Sequence, residues 1–152
     1  FDYWSVDTIR RWRNGGKFDG KMLTEDQKHI YSIYQRILTL CNKEKAITEG
    51  EFFDLMYANT NGWRFNEHKQ YTFLRKAGKE LLFIIVNFDH ISVDVAINVP
   101  SHAFDFLQIP QMDVYPAVDL LTGKTESISL LPYKATEISI EGYSGKILKI
   151  KL

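Results

Sequence analysis

The six residues Leu81-Leu82-Phe83-Ile84-Ile85-Val86 are the strongest constraint on how this chain folds. A strand with one wet face alternates apolar and polar side chains. This run does not alternate, so it predicts a central strand of a sheet. It is also the longest apolar run in 152 residues, far short of the length that crosses a membrane as a helix.

Around that run the second half of the chain reads as short strands. "YTFLRK" precedes the turn "AGKE". "ISVDVAINV" alternates, with Ile91, Val93, Val95, Ile97 and Val99 on one face and Ser92, Asp94 and Asn98 on the other, and Pro100 ends it. "AVDLLTGKTESISL" holds two strands about Thr122-Gly123-Lys124. "ATEISI", the turn "EGYSGK" and "KILKIKL" close the chain. Six to eight strands at this spacing predict an antiparallel β-sandwich. "PSHAFDFLQIPQMDVYPA", with prolines at 100, 110 and 116, reads as a long connection with one edge strand.

The first part is different. Ile30, Ile33, Tyr34, Ile37, Leu38 and Cys41 recur at helical spacing, which predicts one amphipathic helix about three turns long. Thr24 followed by Gln27 is a capping-box start, with Glu25 and Asp26 in the electropositive first turn. A long helix before an all-β unit is an odd order. It suggests that the helix belongs to a different layer.

Charge narrows the partners. Lys+Arg and Asp+Glu are 19 each, so no net field draws the chain to nucleic acid or an anionic membrane. The lone Cys41 excludes an internal disulfide or a cysteine metal cluster and reads as a small apolar residue on the helix stripe. The histidines at 29, 68, 90 and 102 show no ligand spacing, and Asp89-His90 reads as a polar turn. Glu49, Glu51 and Asp54 do not form a convergent acid–nucleophile pair. The sequence therefore supplies no catalytic and no metal residue.

What remains is aromatic. Trp4, Trp12 and Trp63, in stretches that also carry arginines, are the candidate substrate-binding residues, because an indole stacks on the apolar face of a pyranose. The competing reading is that they pack against the helix or an absent neighbour.

The order of these segments resembles the C-terminal end of an α-amylase-type enzyme, glycoside hydrolase family 13. Ile30 through Leu38, with Ala46-Ile47 and Gly50, is similar to the family's last barrel helix. Tyr71-Thr72-Phe73-Leu74-Arg75, then Leu82 through Phe88, resemble its next strands. Asp119-Leu120-Leu121-Thr122-Gly123 and Leu130-Leu131-Pro132-Tyr133-Lys134-Ala135 resemble its later turn and strand.

The resemblance implies a parent with a catalytic (β/α)₈ barrel followed by a Greek-key sandwich. Residues 1–66 would be the loop after the last barrel strand, the last barrel helix and a linker, and 67–152 the sandwich. The lack of a starting Met fits a piece of a longer chain, with any targeting segment upstream and export of the parent an open matter. The family's catalytic carboxylates sit on earlier barrel strands and have no matching position here. Calcium would belong to the absent domains, and this chain itself calls for no cofactor. The implied partners are the missing barrel and an α-glucan, with no nucleic acid and no membrane span. An uncovered helix stripe would favour self-association. Two alternatives stay open: a carbohydrate-binding module using the tryptophans, and a free-standing interaction domain whose helix stripe is buried within the chain.

Overall fold

The computed structural model describes residues 2–152. It divides into two compact units, one ending at Thr39 and one running over Leu40–Leu152.

The first unit is helical. Helix α1 spans Ser5–Arg13, a 3-10 turn follows at Asn14–Gly16, and α2 runs over Glu25–Lys43, past the division between the units. The opening stretch is thus a helix and not the loop expected from sequence. "SVDTIRRWR" contains no Gly or Pro. Asp7 lies in its first turn and Arg10, Arg11 and Arg13 in its last, each on the favourable end of the helix dipole. Asn14 stops it by turning left-handed (φ 43°) while its N–H bonds the Arg10 carbonyl. The capping box forms as expected: the Thr24 amide donates to Gln27 Oε1 at 3.0 Å, and the Gln27 amide donates to Thr24 Oγ1 at 3.3 Å. Neither α1 nor α2 contains a buried residue.

The second unit is a β-sandwich. Its elements are α3 (Lys45–Thr48), β1 (Glu51–Asp54), β2 (Gln70–Ala77), β3 (Glu80–Asn87), β4 (Val93–Ile97), α4 (Ser101–Leu107), β5 (Met112–Asp119), β6 (Thr125–Leu130), β7 (Thr136–Ile140) and β8 (Ser144–Lys151). Six strands form one antiparallel sheet in the order β1-β2-β3-β8-β5-β6, and β4 pairs with β7 in a second.

The apolar run falls in β3, between β2 and β8, and Leu81 through Ile85 are all buried. Leu81, Phe83 and Ile85 face the main core, together with Leu74 of β2, Leu148 and Ile150 of β8, and Val95, Ile97, Ile138 and Ile140 of the second sheet. Leu82 and Ile84 point to the other face and join Ala46 in a smaller cluster. A strand that feeds two cores has no wet face, which is why it does not alternate. Burying a side chain such as Phe83 contributes about 1.5–3 kcal/mol.

Three further sequence expectations need correction. Residues 100–117 are not mainly a connection. They form α4, whose Ala103, Phe104 and Leu107 are buried, and then β5, which is an inner strand between β8 and β6. Pro116 is tolerated there because β8 pairs only with Ala117–Asp119, so at Pro116 only β6 lies alongside. The alternation of residues 91–99 holds for Val95, Ile97 and Val99, but Ile91 lies before β4 and is exposed. The stretch assigned to a linker contributes β1, which pairs with β2, and Leu55 and Phe65 enter the main core.

Candidate functional site

Trp4 is the residue before α1 and Trp12 lies in its last turn. Eight helical positions separate them by about 12 Å along the axis, so they do not share one stacking site. Trp4 is 81% exposed. Trp12 is 45% exposed and meets Phe18 edge-on, with ring centroids 4.9 Å apart. Trp63 belongs to the sandwich unit and is 72% exposed.

Only Trp63 sits in a built environment. The Arg64 guanidinium lies over its ring, 5.1 Å from the centroid. Arg64 is fixed in turn to the outer face of the β4–β7 sheet. Its Nε donates to the Asp94 carbonyl at 2.9 Å, and its terminal nitrogens lie 3.8 Å from the Asp94 carboxylate and 3.6 Å from that of Glu137. Register explains the convergence: Asp94 pairs with Ser139 and Ala96 with Glu137, so these polar side chains share one face. The Asp94 carboxylate also accepts from the Ser139 hydroxyl at 2.5 Å.

The loop is held in an unusual shape to do this. Arg64 has φ 59° and Asn61 φ 55°, both left-handed. Asn tolerates that region, but for Arg it costs about 1–2 kcal/mol. The Arg64 carbonyl accepts from the Ala96 amide at 3.3 Å, which ties the loop to β4. Beside it is an open groove of about 640 Å³ lined by Gly62, Asn66, Lys69, Asp89 and Asp94. Lys69 donates to Asp89 at 2.6 Å; this hydrogen bond, more than the opposing desolvation, holds the Asp89 carboxyl below its ordinary range. The Asp89-His90 stretch is the polar turn expected.

A second surface is the outer face of the six-stranded sheet. Helix α3 lies on it, and Ala46, Ile47, Phe73, Ala77, Leu82 and Ile147 form its apolar cluster. Lys149 bridges Glu44 at 2.5 Å and Glu80 at 2.8 Å beside that cluster. Partial burial alone would raise the Glu80 pKa, but the bonds from Lys149 and the Ala46 amide hold it below 4.5. Sequence reading missed this triad, because Glu44, Glu80 and Lys149 meet only through sheet pairing. Phe52, Tyr71 and Phe73 continue the face toward β1 as rings in tilted contact, with Phe52 and Tyr71 exposed.

Among the described residues no group of three or more His, Cys, Asp or Glu side chains is placed to hold a metal ion. No helix among them is long and apolar enough to cross a membrane. Cys41 is a free, half-buried thiol.

No protein-family model matches the sequence, and no curated protein matches it significantly. Solved structures do match. A noncanonic maltogenic α-amylase from Thermotoga neapolitana aligns with 87% of this chain, at 14% identity and a TM-score of 0.63. This is the fold of a segment of α-amylases. AmyP, solved in complex with maltotriose, aligns with 88% of the chain at 23% identity and a TM-score of 0.59. The α-amylase of Geobacillus thermoleovorans, complexed with acarbose, aligns with 88% at 12% identity and a TM-score of 0.58. The α-amylase segment is a small part of each: the chain spans 27%, 23% and 26% of their lengths.

Proposed function

We propose that this chain is the C-terminal, non-catalytic portion of an α-amylase-like glycoside hydrolase that acts on starch-type α-glucans, and that it supports the catalytic barrel of the same protein. The observation that carries the reading is the α-amylase likeness, which takes in nearly nine-tenths of this chain but only about a quarter of those enzymes. The catalytic carboxylates, and calcium where it is bound, then belong to the remainder of the protein. The parent would be a retaining enzyme working through a covalent glycosyl intermediate.

Two features support a large partner. The α2 stripe, with Ile30, Ile33, Tyr34, Ile37 and Leu38, is solvent-exposed, as a helix taken from a barrel layer would be. The apolar outer face of the six-stranded sheet continues into the exposed rings of Phe52 and Tyr71, which suits further cover by the barrel. A free-standing interaction domain expects the helix stripe to be buried, and no α2 residue is. On this reading Trp4 and Trp12, beside the last barrel-type helix, face substrate in the parent.

The test is the coding sequence upstream of Phe1 together with a reducing-sugar assay on starch. An upstream barrel with two aspartates and a glutamate at its strand ends, active when joined to this chain, is expected, with no hydrolysis by this chain alone. An upstream region without those strands overturns the proposal.

A further inference from the structure

We infer that Trp63 and Arg64 form a stacking platform for a pyranose ring of an α-glucan on the sandwich itself. The choice of α-linked glucan rests on the α-amylase reading above; the platform rests on the local geometry.

A saccharide site of this type needs a flat apolar face that stays open and fixed, with hydrogen-bonding groups at its rim. Arg64 covers one side of the Trp63 indole at 5.1 Å and leaves the residue 72% exposed. The guanidinium is anchored to Asp94 and Glu137, so the ring is backed by structure and not left to swing freely. Beyond Arg64, the Asp94 and Glu137 carboxylates are acceptors available to sugar hydroxyls, and the groove lined by Gly62, Arg64, Asn66, Lys69 and Asp89 opens on the Arg64 side. The left-handed Arg64 backbone is tied to β4 through the Ala96 amide and is followed by the buried Phe65, so the loop holds Trp63 out at the surface.

The alternative occupant, a protein surface, fits less well. Protein hot spots place an aromatic in a well-packed, fully desolvated pocket near the centre of a large interface. Here Trp63 is 72% exposed, and the group over its ring is the Arg64 guanidinium, itself held by Asp94 and Glu137.

The test uses the whole chain in native affinity gels containing soluble starch or, separately, mixed-linkage β-glucan, with maltoheptaose titration followed by indole fluorescence. Starch is expected to retard the wild type. Trp63→Ala should lose roughly tenfold in affinity or more, and Trp63→Phe should recover part of it. Tyr133→Ala, an equally exposed ring elsewhere, should behave as wild type. Circular dichroism confirms that each variant folds. Unretarded wild type in both gels, or equal retardation of Trp63→Ala and wild type, overturns the platform and leaves the α-amylase reading to its own upstream test. Retardation by β-glucan alone, lost in Trp63→Ala, keeps the platform but overturns its α-glucan specificity and counts against an α-amylase parent. Cross-linking of Trp63 to a protein, with no glucan retardation, assigns the patch to protein docking and overturns the proposal.

Discussion

Arg75 of β2 donates from Nε to the carbonyl oxygen of Ala46 in α3 at 2.7 Å. Its Nη2 donates to the Gly50 carbonyl, also at 2.7 Å, so one guanidinium clamps both ends of the segment that lies on the sheet. A helix of four residues cannot hold itself together and depends on such tethers. Hydrogen bonds with a charged partner are worth about 1.5–3 kcal/mol each. Arg75→Met should therefore destabilise the chain by about 2–4 kcal/mol, read from urea unfolding, and should raise amide exchange at residues 44–50 more than in β8. Gly50→Ala should act at the same place, because a Cβ there would lie 2.2 Å from the Ala46 carbonyl oxygen. An Arg75→Met variant with an unchanged midpoint would refute the clamp.

The Glu44–Lys149–Glu80 triad gives the sandwich a pH dependence with two limbs. Glu80 is held below 4.5, so its contribution is present above that value and is lost as pH falls through the lowered one. For Lys149, partial burial works the other way, but the bonds to Glu44 and Glu80 lift its pKa above 10.5. Its contribution is present below 10.5 and is lost as pH rises through the raised value. The stability gap between wild type and Lys149→Met should thus be widest between about pH 5 and pH 10 and narrow at both ends. Urea midpoints at acid, neutral and alkaline pH measure it, and a gap independent of pH would exclude the triad as its source.

What the sequence disclosed was what depends on local spacing. The Thr24/Gln27 cap, the β2–β3 turn and the central position of β3 follow from residue type and order, and all three form. The opening helix was hidden because Trp4, Trp12 and the arginines read as binding residues, although the chain has no helix breaker before Gly15. The inner place of β5 was hidden by Pro116, which reads as an edge residue, although its missing donor matters only if both flanking strands extend to it. The surroundings of Trp63 were partly legible. Alternation placed Asp94 outward, but its meeting with Glu137 and Arg64 depends on β4 pairing with β7 across more than forty residues, a register that local pattern does not encode.

Asp119 shows why the turn at residues 119–124 could be read at all. Its buried carboxylate accepts from the Leu121 amide at 3.1 Å, the Thr122 hydroxyl at 2.6 Å and the Ile147 amide at 3.2 Å. It therefore fixes both the β5–β6 connection and the neighbouring β8. Asp119→Ala leaves these donors without their acceptor, at a cost of about 1–3 kcal/mol per buried group. A loss of about 3 kcal/mol or more is expected in urea or thermal unfolding, with Thr122→Val milder because it removes only one bond. Equal losses for the two variants would show that Asp119 does not organise the turn.

The α2 stripe bears on how this chain behaves apart from a larger partner. Ile30, Ile33, Tyr34, Ile37 and Leu38 are exposed along one side of a helix of 19 residues. Contiguous apolar surface of this kind drives association in water. The isolated chain should self-associate in a concentration-dependent way in light scattering and should bind a hydrophobic dye. Ile33→Glu with Ile37→Glu should shift it toward monomer and reduce dye binding. Urea unfolding of the β-sandwich should be little altered, because these side chains are not buried in the folded chain. The same pair should weaken association with a separately expressed barrel, if the stripe is the face that a barrel covers. A wild-type chain that stays monomeric at high concentration with low dye binding would remove the stripe as an association surface.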